Sequence, residues 1–271
     1  TQALANCFLM YSELAAGNLA SAARYGIQAQ ACAMDAGYLS RAIADGSNVG
    51  VIFFDMEDLD GTLAHVQPIL ELARQAAWPS SISAVSRILA VTLLKLGRHE
   101  GALLMAREAV SASATVPNSR NHLNCLHAAA DCALEFGDFE SAERWYHQVQ
   151  ESAVGAEGRE LRRYASVGLG KVYARTSRLE EAVEMAEQAI EWSVSESDPS
   201  CEVESLRLLA GLVGRTGKKV EIRGEVATPV SLLQQAVEVA EHANQGSVSY
   251  TVLQELAAAL EGEGRHFEAA Q

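Results

Sequence analysis

Gly17, Glu57, Gly97, Gly137, Ser177 and Gly217 are spaced by forty residues, and Gly264 follows seven residues out of step. Around each marker the same pattern returns. An apolar helical stretch leads into a tight turn at the marker, and a second helical stretch follows with a small residue five positions on, at Ala22, Thr62, Ala102, Ala142, Ala182 and Ala269. A pair of helices of this length cannot bury its apolar face alone, so such units stack on their neighbours into one continuous core. The register therefore predicts an all-α chain: a right-handed superhelical solenoid of antiparallel helix pairs, about seven repeats and thirteen to fourteen helices, with residues 1–271 forming one repeat domain.

Composition agrees with close helix packing. Hydrophobic residues make up 49% of the 271, while aromatics are only 6%, so Ala, Leu and Val carry the core. No apolar run reaches the roughly 18 residues needed to cross a bilayer, and no basic-then-apolar leader opens the chain. The net charge of -14 repels phosphate backbones and anionic lipid, which argues against nucleic acid and against a membrane surface as partners. Five cysteines, Cys7, Cys32, Cys125, Cys132 and Cys201, are odd in number and form no paired framework, as expected in the reducing cytoplasm. Cys125 and Cys132 on one helix would stand about 10.5 Å apart along the axis, too far to bridge. His122 and Cys125 are three apart and within reach of one metal, but no second pair converges on them; ordinary packing is the stronger reading.

Local signals place the elements. Residues 80–96 read as the first helix of the third repeat and end at Gly97, which suits the left-handed closure. Residues 99–114 return with an Ala102, Ala106, Ala109 stripe. Asp138 is placed to cap the helix after Gly137. Pro68 falls inside the second helix of repeat two, where it removes a hydrogen bond and predicts a kink. Residues 218–230, KKVEIRGEVATPV, insert where other repeats turn at once, and their alternation around Gly224 fits either a small hairpin or a loop. FEAAQ at 267–271 starts a helix that stops after one turn, so the natural protein is expected to continue, and the chain's opening on Thr1 leaves room for sequence before it. The apolar residues Val252, Leu253, Leu256 and Leu260 of the last repeat would then favour dimerisation through the C-terminal end.

The pairs Leu89-Ala90, Leu169-Gly170, Leu209-Ala210 and Leu256-Ala257, each with an aromatic or apolar residue three on, a turn residue and spaced alanines, resemble the tetratricopeptide repeat. The resemblance spans the chain and is weaker in the first two repeats, where Met10 takes a small-residue slot. The forty-residue period exceeds that family's usual 34 or so, which implies longer helices or longer connections.

That resemblance implies a concave face lined by the first helix of each repeat. Its inward positions, about 13, 10, 6, 3 and 2 residues before each marker, carry Arg87, Lys95, Asn124, His127, Tyr164, Lys171, Arg175, Arg207 and Arg215, together with Asp131, Glu135, Glu204, Gly211 and Gly214. Six cations thus meet three carboxylates in an acidic chain. The alternatives are a groove that clamps the carboxylates of an acidic peptide or protein, or a solvated face whose charges pair with each other, as Arg207 with Glu204. Reversing Lys171 and Arg175 together to Glu is expected to separate them. His65, His99, His147 and His266 read as turn or packing residues, and Trp145, Tyr146 and Trp192 as core.

No catalytic constellation is present: no phosphate loop, no metal-ligand pairing, no activated nucleophile. The chain reads as non-enzymatic and without cofactor. WPSS at 78–81, NSRNHLNCLHAAADCALEFGDFESA at 118–142 and YTVLQELAAALEGEGRHFEAA at 250–270 resemble the N-terminal sensory repeats of bacterial GGDEF-type diguanylate cyclases. This implies a regulatory module that binds a protein or peptide and controls a cyclase outside these residues. The competing expectations are a peptide-pheromone receptor, for which Asn124 is the one amide anchor in the groove of repeats three to six, and the repeat region of a large transcription activator or sensor kinase. An enzyme built on the solenoid would need convergent acid or metal groups.

Overall fold

The computed structural model describes residues 2–153, 155–222, 224–243, 246–265 and 269. Their elements are α1 (Gln2–Ala15), α2 (Leu19–Asp35), α3 (Leu39–Asp55), α4 (Leu59–Gln75), α5 (Pro79–Lys95), α6 (His99–Ser113), α7 (Arg120–Phe136), α8 (Phe139–Ser152), α9 (Gly155–Arg175), α10 (Leu179–Ser195), α11 (Pro199–Thr216), β1 (Val220–Ile222), β2 (Glu225–Ala227), α12 (Pro229–His242) and α13 (Gly246–Gly262). The chain divides into two compact units, Thr1–Trp145 and Tyr146–Gln271. Each is a stack of helix pairs in which sequential helices pack together.

The true spacing is half the one legible in the sequence. α2, α3, α4, α5 and α6 begin at residues 19, 39, 59, 79 and 99, so each helix and its turn take twenty residues. The forty-residue period therefore exceeds the usual repeat because the helices are long, most of them seventeen residues, while the connections stay short. The seven markers all have positive φ, from 60° at Glu57 to 93° at Gly137. A second set midway, Gly37, Ala77, Asn118 and Ser197, has positive φ as well. At most positions of both sets the chain is closed by the same hydrogen bond, from the amide after the left-handed residue to the carbonyl five back, as Arg98 to Leu93, Trp78 to Ala73 and Asp198 to Ser193; after Asn118 and Gly217 the closure differs. The second set escaped the sequence because Ala, Asn and Ser there lack glycine's signal.

Glu57 stands in that left-handed conformation with an exposed side chain. Glu57→Gly should raise the unfolding free energy by about 1 kcal/mol, measured as a shift in the urea midpoint at unchanged slope.

Packing follows the small-residue positions. Ala22, Thr62, Ala102, Ala142 and Ala182 are all fully buried. Met10, the odd residue in its slot, is also fully buried; the room is made by Gly26, where a Cβ would lie 2.8 Å from Met10 Sδ and 2.5 Å from Val49 Cγ2. Asp138 caps α8, accepting from the Ser141 amide at 3.2 Å. All five cysteines are free thiols. Burial pushes Cys132 up to about 12, which removes it from thiolate chemistry. His122 Nδ1 lies 2.9 Å from Ser113 Oγ and Cys125 Sγ 3.8 Å from the Ser83 carbonyl, both packing contacts.

Pro68 lies inside α4, which continues on both sides of it as one element. Its ring is exposed, so the freed carbonyl one turn back faces solvent rather than the core. The insertion forms an antiparallel hairpin, Val220 opposite Ala227 and Ile222 opposite Glu225, with Val220 and Ala227 buried. In α13, Val252 and Leu260 turn inward, Leu256 is half-buried and Leu253 is 44% exposed; the covering segment expected at 267–271 lies outside the described residues apart from Ala269, as does His266. Among the described residues no helix is long and apolar enough to cross a membrane.

Candidate functional site

The inward residues fall in both units. In the first, Arg87 is half-buried in mid-α5 with its Nε enclosed and unbonded. Lys95 Nζ sits 4.4 Å from the centre of the Phe54 ring. Asn124 is half-buried on α7, and His127 Nδ1 lies 3.2 Å from Asp131 Oδ2.

In the second unit, Tyr164 packs against Val167, Ala189 and Cys201, and burial raises its phenol above the ordinary range. Arg175 is exposed in the last turn of α9. Arg215, in the last turn of α11, donates to the Ala174 carbonyl at 3.3 Å. Lys95 is likewise the last residue of α5. Three of the six cations therefore complement the negative ends of their own helices, which accounts for half of the charge reversal without any ligand.

Lys171 and Arg207 belong to something more organised. Lys171 Nζ on α9 meets Glu204 Oε2 on α11 at 3.1 Å. Arg207, one turn further along α11, bonds Glu204 Oε1 at 2.5 Å. Its Nε and Nη2 then form a two-pronged pair with Glu255 on α13, at 2.8 and 2.5 Å. The ladder thus crosses the first helices of three successive repeats. Burial alone would raise the Glu204 carboxyl, but the Lys171 and Arg207 charges beside it hold it below its usual range. A depressed carboxylate contributes stability at neutral pH, and that contribution is lost as pH falls from about 4.3 through the lower folded value. The stability gap between the parent and Glu204→Gln, read from urea midpoints, should therefore close on acidification below pH 4.

Beside the ladder lies a cavity of about 740 Å³. Its floor is made by residues that have almost no side chain: Gly211 and Gly214 on α11, Ala258, Ala259 and Gly262 on α13. A Cβ built at Gly211 would meet nothing within 4 Å. Leu208, Leu233 and Pro229 supply apolar walls, and Lys171, Glu204, Arg207, Glu255 and Glu263 the polar rim. A hollow of this size with an apolar floor and a few convergent charges is the usual form of a small-ligand or peptide-anchor site.

Gly211 and Gly214 stood at inward positions in the sequence, but a gap between helices cannot be read from two glycines. Glu255 was missed altogether. The inward rule carried into the last repeat, counted back from Gly264, gives Gln254, one position short of Glu255. Among the described residues no group of three or more His, Cys, Asp or Glu side chains could hold a metal.

Comparison with known proteins gives the fold. Residues 165–193, in α9 and α10, match the profile of the tetratricopeptide repeat. No curated protein matches the sequence. Several solved structures share the architecture at low identity. One is a signal-transduction ATPase with a tetratricopeptide repeat sensor from Pyrococcus horikoshii, 13% identical with a TM-score of 0.67; the alignment takes in 98% of this chain but 40% of that one. Another is RapI in its apo form, 14% identical with a TM-score of 0.72, over 100% of this chain and 94% of that one. The third is the quorum sensor NprR from B. thuringiensis, 11% identical with a TM-score of 0.65, over 99% and 84%, and also solved with its cognate peptide NprX, at 12%, 0.67, 96% and 72%. The chain is a solenoid of antiparallel helix pairs of the tetratricopeptide type.

Proposed function

We propose that this chain is a non-catalytic regulatory module that binds a peptide, or a peptide segment of a protein, at the charged cavity of its second unit. The observation that carries the reading is the union of an open, small-residue floor with the Lys171–Glu204–Arg207–Glu255 rim on one face of α9, α11 and α13. The repeat fold that presents it is shared with a receptor solved holding its cognate peptide, which supports a peptide over a metabolite. Arg87, Lys95, Asn124 and His127 lie in the first unit, and Tyr164, Arg175 and Arg215 do not line the cavity, so in this reading none of them forms the site.

The resemblance of residues 78–81, 118–142 and 250–270 to cyclase-linked sensory repeats supports a diguanylate cyclase as the output that binding controls. The test has two parts. Panning a random dodecapeptide display library against the chain should enrich a sequence family whose binding falls at least tenfold in Lys171→Gln/Arg207→Gln, with the fold intact by circular dichroism. Failure to enrich any peptide removes the binding reading. A natural full-length protein without a cyclase domain removes the output reading alone.

A further inference from the structure

We infer that Glu255 occupies, in the free protein, the seat of a ligand carboxylate, so that the ligand is a peptide with a bulky apolar side chain next to an acidic group. This rests on the peptide-binding reading above and specifies its chemistry and its regulation.

The argument starts from Arg207. Its guanidinium has five donors in a fixed fork. One bonds Glu204 at 2.5 Å, and the paired face, Nε and Nη2, is taken by Glu255 at 2.8 and 2.5 Å. The two carboxylates are not equivalent. Glu204 is gripped from both sides by Lys171 and Arg207, and it positions Arg207 from within the same helix. Glu255 reaches over from α13, its side chain is 41% exposed against 23% for Arg207, and its only ladder contact is the fork. Both residues line the cavity and the pair is partly exposed, so a second carboxylate can contest the fork, provided it offers both oxygens and brings a further gain.

The neighbouring cavity gives the exchange its direction. Its lining carries two cations, Lys171 and Arg207, and three carboxylates, Glu204, Glu255 and Glu263, the last of them paired with Arg265. A ligand carboxylate that replaces Glu255 keeps the Arg207 fork paired while its adjacent side chain drops onto the floor at Gly211, where a Cβ would meet nothing within 4 Å, beside the Pro229 ring that bounds Gly214. An acid without an apolar neighbour gains no burial, and an apolar group without an acid leaves Glu255 in place. Ligands that satisfy both conditions are selected. Glu255 thereby acts as an internal competitor that sets the threshold concentration.

The prediction is a sign that a merely structural salt bridge does not give: removing Glu255 tightens binding. The probes are three synthetic peptides, acetyl-Gly-Ser-Trp-Glu-Ser-Gly-amide, its Gln analogue, and acetyl-Gly-Ser-Gly-Ser-Trp with a free C-terminal carboxylate, titrated calorimetrically. Against Glu255→Gln at least one acidic peptide should bind about tenfold tighter than against the parent, the Gln analogue should not gain, and Gly211→Leu should remove binding by filling the floor. Whichever acidic peptide gains tells whether the natural carboxylate is a side chain or a chain terminus. The inference is overturned if Glu255→Gln weakens or leaves unchanged the binding of both acidic peptides, if the Gln analogue gains equally, or if none binds any variant. If display panning yields binders that depend on Arg207 but lack an acidic residue, the peptide-binding reading survives and this inference alone fails.

Discussion

Arg163→Ala should lower the unfolding free energy by about 3 kcal/mol or more, the cost of leaving one charge of a buried pair alone. Arg163 lies on α9 with its side chain 9% exposed, and grips Asp198 Oδ2 through Nε at 3.2 Å and Nη2 at 2.8 Å. Asp198 has a second duty. Its Oδ1 accepts from the Cys201 amide at 3.1 Å and caps α11, so it cannot turn away to water without opening the helix that carries Glu204 and Arg207. Two controls isolate the charge. Asp198→Asn keeps the cap, and Arg163→Met/Asp198→Asn removes both charges; the pair should recover a large part of the loss. Urea unfolding followed by Trp192 fluorescence checks all three. Equal stability of Arg163→Ala and the parent would show that the pair is solvated and without consequence.

The second large effect comes from a single methyl group. At Gly168 a Cβ would fall inside the van der Waals surface of the Tyr146 ring, against Cζ and Cε1. Tyr146 is fully buried, so its ring has no solvent-side position to retreat to. Overpacking of this kind costs about 1–3 kcal/mol, and the upper end applies to Gly168→Ala because the obstacle is a rigid ring. Truncating that ring restores the space: Tyr146→Leu is destabilising alone, yet in the Gly168→Ala background it should cost far less. The double-mutant cycle therefore yields a coupling of about 1 kcal/mol or more. Additive effects would mean that the helix can shift and that the contact is not tight.

These two sites mark where sequence reasoning reaches its limit. The helix pairs, the marker turns and the buried alanines at Ala22, Ala102, Ala142 and Ala182 were legible because each rests on a period, and a period survives without knowledge of neighbours. Gly168 is different. It reads as an ordinary small residue beside Leu169-Gly170, and only the packed structure shows whose ring it admits.

At the site, the sign reversal among inward positions was visible, but Lys95, Arg175 and Arg215 owe it to helix ends. The ladder itself needed Glu255, which falls one position off the inward count from Gly264. Its nearest sequence clue was the Arg207–Glu204 pairing, recognised as a possible alternative to ligand binding. In the structure that pairing is present, and it is what holds Arg207 in position beside an empty hollow.

The short connections between helices, most of them three residues long, have a kinetic consequence. Among the described residues, the helices in substantial contact are consecutive or next but one in sequence, so no part of either stack waits for distant segments of chain to meet. Ring-closure entropy, which slows folds built from remote pairings, is small here and nearly the same at every step. Either unit can begin to order at any repeat and grow outward, and can come apart again from its ends, one helix at a time. A chain of this design trades the sharp all-or-none transition of a closed core for graded opening, in which a peptide bound across α9, α11 and α13 changes the order of the helices beside it.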